Sequence, residues 1–504
     1  MKERKKDKSF VNQLNENSAL KVILSGLGVG LYPALYFFSR KPDILTSWSH
    51  YAFFTVAFVL IPMLIFWAIQ KWIPFKKIQF KERIHIFLSV SFFFFFLQLI
   101  LFTQHHKKLT LLAIVFGFLA ARFLWKHTSK IILLQLILAV LTIPLVYSAV
   151  QLRSSYSTTW MEQEDNIEEA VFKKKPNIYF IEPDGYVNFS ELGKGFYTIE
   201  NKDFEQYLDQ KGFVAYPNFR SNYPTTLASN ASFFSMKHHY FNEDLKSEEV
   251  QFARDIIFNR NPVLEILKKN NYKTTYITDT PYLLSNRPKM GYDASNFGFW
   301  DVSFIDNGIR DERANVVADF QRLHTANDDQ PAFFFIQYLE PWHIHTRELG
   351  SLGKEKERAL YRDRLYDSNS KMQQIIDEIL KNDNEALIVM MADHGGYVGM
   401  DHGQEAYKKS TDRDLVHSIF SNIMAIHWPN GNEPSFAKET ASSVNLFRML
   451  ISYLSEEPNY LKRLQDNSSY IILKEGVEHG IYKYIDTFGN VTCVPISSEE
   501  KQKE

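Results

Sequence analysis

Cysteine is almost missing: Cys493 is the only one in 504 residues. That excludes an intramolecular disulfide framework and any zinc site built from thiolates. Acidic side chains are scarce in the first third, where residues 1–151 hold 5 Asp and Glu against 18 Lys and Arg. The whole chain has 57 basic and 58 acidic side chains and a formal charge of -1, which leaves 39 basic and 53 acidic for residues 152–504. That acidic remainder offers no basic face, so no nucleic acid is expected as a partner. Repeats are absent too. What is plentiful is oil: 15% aromatic residues exclude a disordered chain, and the crowding of apolar runs into the first third excludes a single soluble globule.

Five apolar stretches lie there: Val22–Phe38, Tyr51–Trp67, Ile84–Phe102, Leu109–Trp125 and Ile131–Val150. A hydrocarbon core about 30 Å thick takes about 20 apolar helical residues to cross, so all five are expected to span a membrane. A cleaved signal peptide would explain one such segment but not a series. Loop charge sets the expected direction. With the N-terminus in the cytoplasm, the inner side receives Lys2, Arg4, Lys5, Lys6, Lys8, Lys21, Lys71, Lys76, Lys77, Lys81, Arg83, Arg122, Lys126 and Lys130. The outer loops receive only Arg40, Lys41, Lys107 and Lys108. An odd number of spans then puts residue 152 onward outside the cytoplasm, the side with which a lone cysteine is compatible. Leu109–Trp125 is the short span, with Arg122 near its end; without it the large domain would face inward.

A polar, acidic linker follows over 152–175. From Pro176, apolar runs of strand length alternate with helical stretches. NIYFI (177–181), TTYIT (274–278), AFFFIQYL (332–339), ALIVMMA (386–392) and SNIMAIHW (421–428) are expected strands. Helices are expected at Phe204–Lys211, Pro262–Asn270, Arg313–Thr325, Arg358–Lys381 and Ala441–Leu454. The alternation predicts a largely parallel sheet covered by helices, over 176–470, with 471–504 a strand-like and then polar tail. In such sheets ligands sit at the carboxyl ends of the strands.

Three expected strands end in groups suited to a metal. NIYFIEPDGY ends in Asp184 before Gly185, ALIVMMADHGG in Asp393 and His394, and AFFFIQYLEPWHIHT in Glu340, His343 and His345. Oxygen and nitrogen donors brought to one point suit zinc or manganese and, less comfortably, magnesium. Acids at neighbouring strand ends would repel one another without a cation. Glu182 would share the face of Asp184 in a regular strand, although Pro183 interrupts that geometry. In RSNYPTTLASNASFFSM (220–236), Thr225 and Thr226 stand where a helix begins. A threonine there either caps the helix or presents its hydroxyl beside free N–H groups and the positive helix end, a place for an anion such as phosphate.

PNIYFIEPDGY, SNYPTTLASNASFFSM, MADHGGYVGMDHG, and SSVNLFRMLISYL with LQDNSSY together resemble the alkaline phosphatase superfamily, and within it the membrane-anchored sulfatase-like proteins of bacteria. Enzymes that transfer phosphoethanolamine or phosphoglycerol are similar in layout, with about five spans, a linker and an external domain. The resemblance implies Asp184, Asp393 and His394 as metal ligands. It implies Thr226, with Thr225 its runner-up, as a nucleophile that also touches the metal and forms a phosphothreonine. By the same resemblance Glu340, His343, His345, His402 and Lys408 (or Lys409) are candidates for substrate or a second metal. His238 and His239 are expected in the surface or core rather than as ligands. True sulfatases need a Cys or Ser in a C/S-x-P-x-R context, and the sole cysteine here lies in CVPIS (493–497), beyond the catalytic region and without the arginine.

The expected activity is therefore a membrane-bound transferase moving a phosphate-linked head group onto an envelope lipid or glycan, in a bacterial inner membrane with its catalytic domain on the periplasmic or extracellular side. The alternatives are a metal-dependent hydrolase, including a phosphodiesterase, phosphomonoesterase or sulfuric ester hydrolase, and an inactive binding or scaffold member of the same fold. No feature of the sequence bears on oligomeric state.

Overall fold

A computed structural model describes Leu14 and residues 17–73, 78–243, 250–309, 313–324 and 330–496. The basic residues Lys2, Arg4, Lys5, Lys6, Lys8, Lys76 and Lys77, and the tail from 497 onward, lie outside the described residues. The chain forms two compact units: Met1–Tyr156 with Ser285–Arg287 and Val302–Ile309, and the remainder.

The first unit is helical because a helix satisfies its own backbone groups, which long apolar runs need wherever water is absent. Among the described residues, four helices are long and apolar enough to cross a membrane: Ser18–Arg40, Trp48–Trp72, Ile78–Phe102 and Trp125–Met161. The short expected span is present as the 17-residue helix Lys107–Phe123. The last one divides into Thr128–Leu141 and Ile143–Ser155, because Pro144 has no N–H to offer the carbonyl one turn back. Helices approach closely at Gly30, where a Cβ would lie 1.8 Å from the Phe58 carbonyl oxygen. Several polar groups inside the bundle pair with one another, which lowers the cost of burying them in a low dielectric. Lys21 Nζ donates to both Glu82 oxygens (2.5 and 2.7 Å), Ser25 meets His85 Nε2 at 2.6 Å, and Ser89 Oγ donates to Gln135 Oε1 at 3.1 Å. The later stretch Val302–Ile309 belongs to this unit through Phe304, whose ring stacks on Phe53 at 4.4 Å.

The second unit is built on a seven-stranded sheet in the order β2-β7-β6-β1-β5-β3-β4. Its strands are β1 Ile178–Pro183, β2 Phe213–Ala215, β3 Lys273–Thr278, β4 Ala294–Ser295, β5 Ala332–Tyr338, β6 Leu387–Met391 and β7 Met424–His427. β1 pairs in parallel with both β5 and β6, and β5 with β3. β7 runs antiparallel to β6 and β2 antiparallel to β7, so the sheet is mostly parallel. β1, β5 and β6 are buried along their whole length. That explains why they read as unbroken apolar runs rather than alternating ones. The expected helices appear as Lys202–Gln210, Pro262–Lys269, Val316–His324, Lys354–Asn382 and Leu446–Ser455. A separate antiparallel sheet, β10-β9-β8, is formed by β8 Ser469–Leu473, β9 Gly480–Ile485 and β10 Val491–Pro495.

Candidate metal centre

β1 and β6 are neighbours, with Ile181 opposite Met390. Asp184 and the pair Asp393 and His394 therefore emerge side by side from the same end of the sheet. Their ligand atoms all lie within 4.8 Å of one another. His394 Nε2 is 3.3 Å from Asp393 Oδ2 and 3.9 Å from Asp184 Oδ1. The backbone fixes each side chain. Asp393 Oδ1 accepts from Gly185 N (3.0 Å) and His394 N (2.9 Å). His394 Nδ1 lies 2.8 Å from the Gly395 carbonyl, which can only accept, so Nδ1 carries a proton and Nε2 is the ring atom turned toward the carboxylates. Gly185 has φ +71°, and a Cβ there would sit 2.7 Å from the Trp342 carbonyl, so only glycine lets the β1 and β5 turns close on each other.

Thr226 opens the helix Thr226–Ser235, with Thr225 in extended conformation ahead of it. The Thr226 hydroxyl donates to Asp184 Oδ2 at 3.5 Å. The serines three and six residues on serve the turn rather than the site. Ser229 Oγ donates to the Tyr223 carbonyl (2.9 Å) and Ser232 Oγ to the Lys237 carbonyl (2.9 Å). Tyr223 Oη in turn accepts from His239 N (3.1 Å) and Tyr240 N (3.0 Å), and Tyr397 Oη donates to the Pro224 carbonyl. The Tyr-Thr-Ser-Ser pattern thus spells a self-bonded turn that aims one hydroxyl.

The residues present fit a divalent cation. Asp184 Oδ1 and Asp393 Oδ2 are buried without a hydrogen-bond partner, as is Glu182 Oε2, and such orphans are costly in a protein interior. Burial, then the Asp393 charge, then Asp279 push the Asp184 carboxyl well above the ordinary carboxylate range. Burial and the Asp393 charge do the same to Glu182, whose Oε1 accepts from Asn230 Nδ2 at 2.9 Å. Two carboxylate oxygens, an imidazole nitrogen and a hydroxyl converge, a donor set suited to a divalent cation.

The other sequence candidates are placed variously. The His343 ring lies 5.9 Å from that of His394, and its Nδ1 donates to the Ile344 carbonyl at 2.6 Å. Burial, with His394 beside it, pushes the His343 pKa down to about 3, so the ring is neutral. Glu340 is engaged by Lys371 and, at 3.6 Å, by Arg313. His345 is exposed and turned to the Arg347 carbonyl (2.8 Å). His402 stands just before the short turn Gly403–Tyr407, with its Nδ1 buried and unpartnered. Lys408 lines a separate cavity of about 230 Å³ with Lys354, Glu405 and Tyr484. His238 and His239 are both buried, and His239 bonds the Ala228 carbonyl (2.9 Å) and accepts from Phe241 N (2.7 Å). A cavity of about 680 Å³ at the opposite, amino-terminal strand ends is lined by Lys174, Asn177, Asp383 and Tyr453; Asp184, Asp393 and His394 are not among its lining residues, so volume does not mark the site.

Sequence reasoning missed Asp279 and Arg313. Asp279 follows β3 just as Asp184 follows β1, and its position after TTYIT was the available signal. Its carboxylate accepts from Leu339 N (3.2 Å to each oxygen) and from Arg313 (3.3 Å). Burial raises its pKa to about 6 in spite of Arg313.

A mostly parallel sheet with two strand-end acids and a histidine facing a threonine at a helix start defines a sulfatase-like hydrolase or transferase of the alkaline phosphatase superfamily, here carrying membrane helices. The family described as Sulfatase matches residues 197–455, more than half the chain, and the chain belongs to that family. No curated protein matches it. Similar solved structures include the C-terminal periplasmic domain of EptC from Escherichia coli in complex with Zn, at 14% identity, 64% of this chain and 96% of that one, TM-score 0.42. The integral membrane protein lipooligosaccharide phosphoethanolamine transferase A from Neisseria meningitidis is 12% identical over 87% of this chain and 95% of that one, TM-score 0.37. The periplasmic domain of phosphoethanolamine transferase EptC from Campylobacter jejuni is 19% identical over 57% and 94%, TM-score 0.36.

Proposed function

We propose that the protein is a metal-dependent transferase that moves a phosphate-linked head group onto an envelope lipid or glycan by way of a phosphothreonine at Thr226. The observation that carries this reading is the convergence of Asp184, Asp393 and His394 within 4.8 Å, with the Thr226 hydroxyl on Asp184. Those four residues would hold a divalent cation, zinc or manganese, which when bound lowers the hydroxyl pKa and neutralises charge on phosphoryl oxygens.

Thr226 is held by Asp184 with its hydroxyl proton directed away from the incoming phosphorus. Attack forms the Oγ–P bond as the bond from phosphorus to the donor's leaving oxygen breaks, and the leaving alcohol departs with a proton. An acceptor hydroxyl then attacks the phosphothreonine and Thr226 regains its proton. The first-turn N–H groups of the Thr226 helix favour the negative charge that develops. A plain hydroxyl nucleophile, with no C/S-x-P-x-R segment in the chain, favours phosphoryl over sulfuryl chemistry. With Lys107–Phe123 as a fifth crossing, the catalytic unit would lie on the periplasmic or extracellular face of an inner membrane, beside lipid donors.

Detergent-purified protein incubated with head-group-labelled phospholipids, with and without acceptor glycan, tests the reading. Label should move to the acceptor and accumulate on Thr226 when acceptor is withheld. Rapid release of free head group to water, unchanged by acceptor, would replace the transferase with a phosphodiesterase.

A further inference from the structure

The long helix Lys354–Asn382 presents Tyr361, Arg364, Ser368 and Lys371 on one face, three or four residues apart. Tyr361, Ser368 and Lys371 hold the turns around the metal centre. Tyr361 Oη donates to the Gly185 carbonyl (2.9 Å) and accepts from Val187 N (3.1 Å). Ser368 Oγ donates to the Glu340 carbonyl (3.3 Å), and Lys371 pairs with the Glu340 carboxylate. Arg364 sits between these contacts, partly buried, and meets only carbonyls: Nε donates to Leu360 (3.2 Å) and Nη2 to His343 (3.3 Å). Among the described residues it forms no ion pair, whereas nearby Arg313 has Asp279 and Glu340. A partly buried guanidinium with no ion pair of its own, only the longer-range charges of Glu357 and Glu340, keeps N–H groups free for a further acceptor. The carbonyl it touches belongs to the histidine whose ring is 5.9 Å from that of His394.

We propose that Arg364 is an anion-binding residue of this centre, with its remaining N–H groups taking the non-bridging oxygens of a phosphoryl group and Arg313 reinforcing the positive potential. The proposal rests on the phosphoryl-transfer reading above but concerns recognition of the anion, not the nucleophile. A planar fork suits tetrahedral oxyanions in pairs of parallel hydrogen bonds. It would explain why a site so rich in carboxylates accepts a negatively charged substrate.

Calorimetric titration of inorganic phosphate into the full-length, detergent-solubilised protein, once loaded with zinc and once after chelation, tests this. Wild type should bind phosphate, and Arg364→Gln should weaken that binding at least about tenfold. Arg364→Lys, which keeps the charge and loses the fork, should fall between them. Should Arg364→Gln fail to fold, Arg364→Lys carries the test alone: a severalfold loss supports the proposal and no loss overturns it. A wild type that binds no phosphate, or binds it no better than Arg364→Gln, also overturns it. An Arg364-dependent phosphate affinity in a protein whose Thr226 forms no phosphoenzyme would leave this inference standing and end the transferase mechanism instead.

Discussion

At the scale of single residues, the centre is an electrostatic conflict held in place by backbone. Asp184, Asp393 and Glu182 are each almost fully buried, and each carries an oxygen without a hydrogen-bond partner. Removing one charge should therefore relieve the metal-free protein while ruining the site. Asp393→Asn is expected to raise the stability of chelated protein by roughly 1–2 kcal/mol and to abolish metal retention, as read by thermal unfolding with and without zinc. Thr226→Ala should lower turnover by a factor on the order of a thousand or more and remove the phosphoenzyme band, with unfolding unchanged. An active Thr226→Ala alongside an inactive Thr225→Ala would move the nucleophile to the neighbour, whose Oγ1 is buried and unpartnered.

The pH dependence has a definite sign. A carboxyl whose folded pKa exceeds its unfolded value of about 4 contributes stability below that value, and loses it as pH rises through the folded pKa. For Asp279 that folded pKa is about 6, and Asp184 and Glu182 are shifted in the same direction. Chelated protein should therefore weaken from about pH 4 upward. Metal binding needs the same carboxylates ionised, so the rise in Tm caused by zinc should grow as pH increases. Buried His239, with its pKa pushed down to about 3, acts with the opposite sign, but equally with and without zinc. A zinc-induced rise in Tm that shrinks with increasing pH would contradict this account.

At the scale of elements, the apolar runs that become β1, β3, β5, β6 and β7 were readable because buried parallel strands need no alternation. β2 and β4 were not, since three and two residues at the sheet edges carry no periodic signal. Strand direction was equally hidden: nothing in SNIMAIHW distinguishes the antiparallel β7 from a parallel strand, because direction is set by how the chain returns, not by side-chain pattern. The acids after β1 and β6 were legible from their place at strand ends, and Asp279 after β3 was legible by the same rule. Arg313 and Arg364 were not, because their partners are carbonyls and carboxylates brought from elsewhere in the chain. The tightest element-level constraint is Gly185. Gly185→Ala, at φ +71° with its new Cβ 2.7 Å from the Trp342 backbone, should cost about 1–3 kcal/mol and weaken zinc affinity by moving Asp184. Unchanged affinity in calorimetry would show that the β1 turn can yield without moving its carboxylate.

At the scale of the whole molecule, membrane helices and a strand-end acid cluster belong to one chain, and the charge in its loops predicts a direction that can be tested. The lone cysteine supplies a probe of that orientation. Cys493 is half-buried on β10, and burial raises its pKa, so labelling will be slow but specific. A membrane-impermeant maleimide applied to cells whose outer envelope has been permeabilised should label Cys493, whereas Cys493→Ser should give no signal. Labelling only after lysis would place the catalytic unit in the cytoplasm and remove lipid-to-envelope transfer from consideration.

Zinc and manganese titration of the full-length protein bears on the centre most directly. One ion per chain should bind, with affinity lost in Asp184→Asn, Asp393→Asn and His394→Ala alike. Binding that survives all three substitutions, or a wild type that takes up neither metal, would contradict the account.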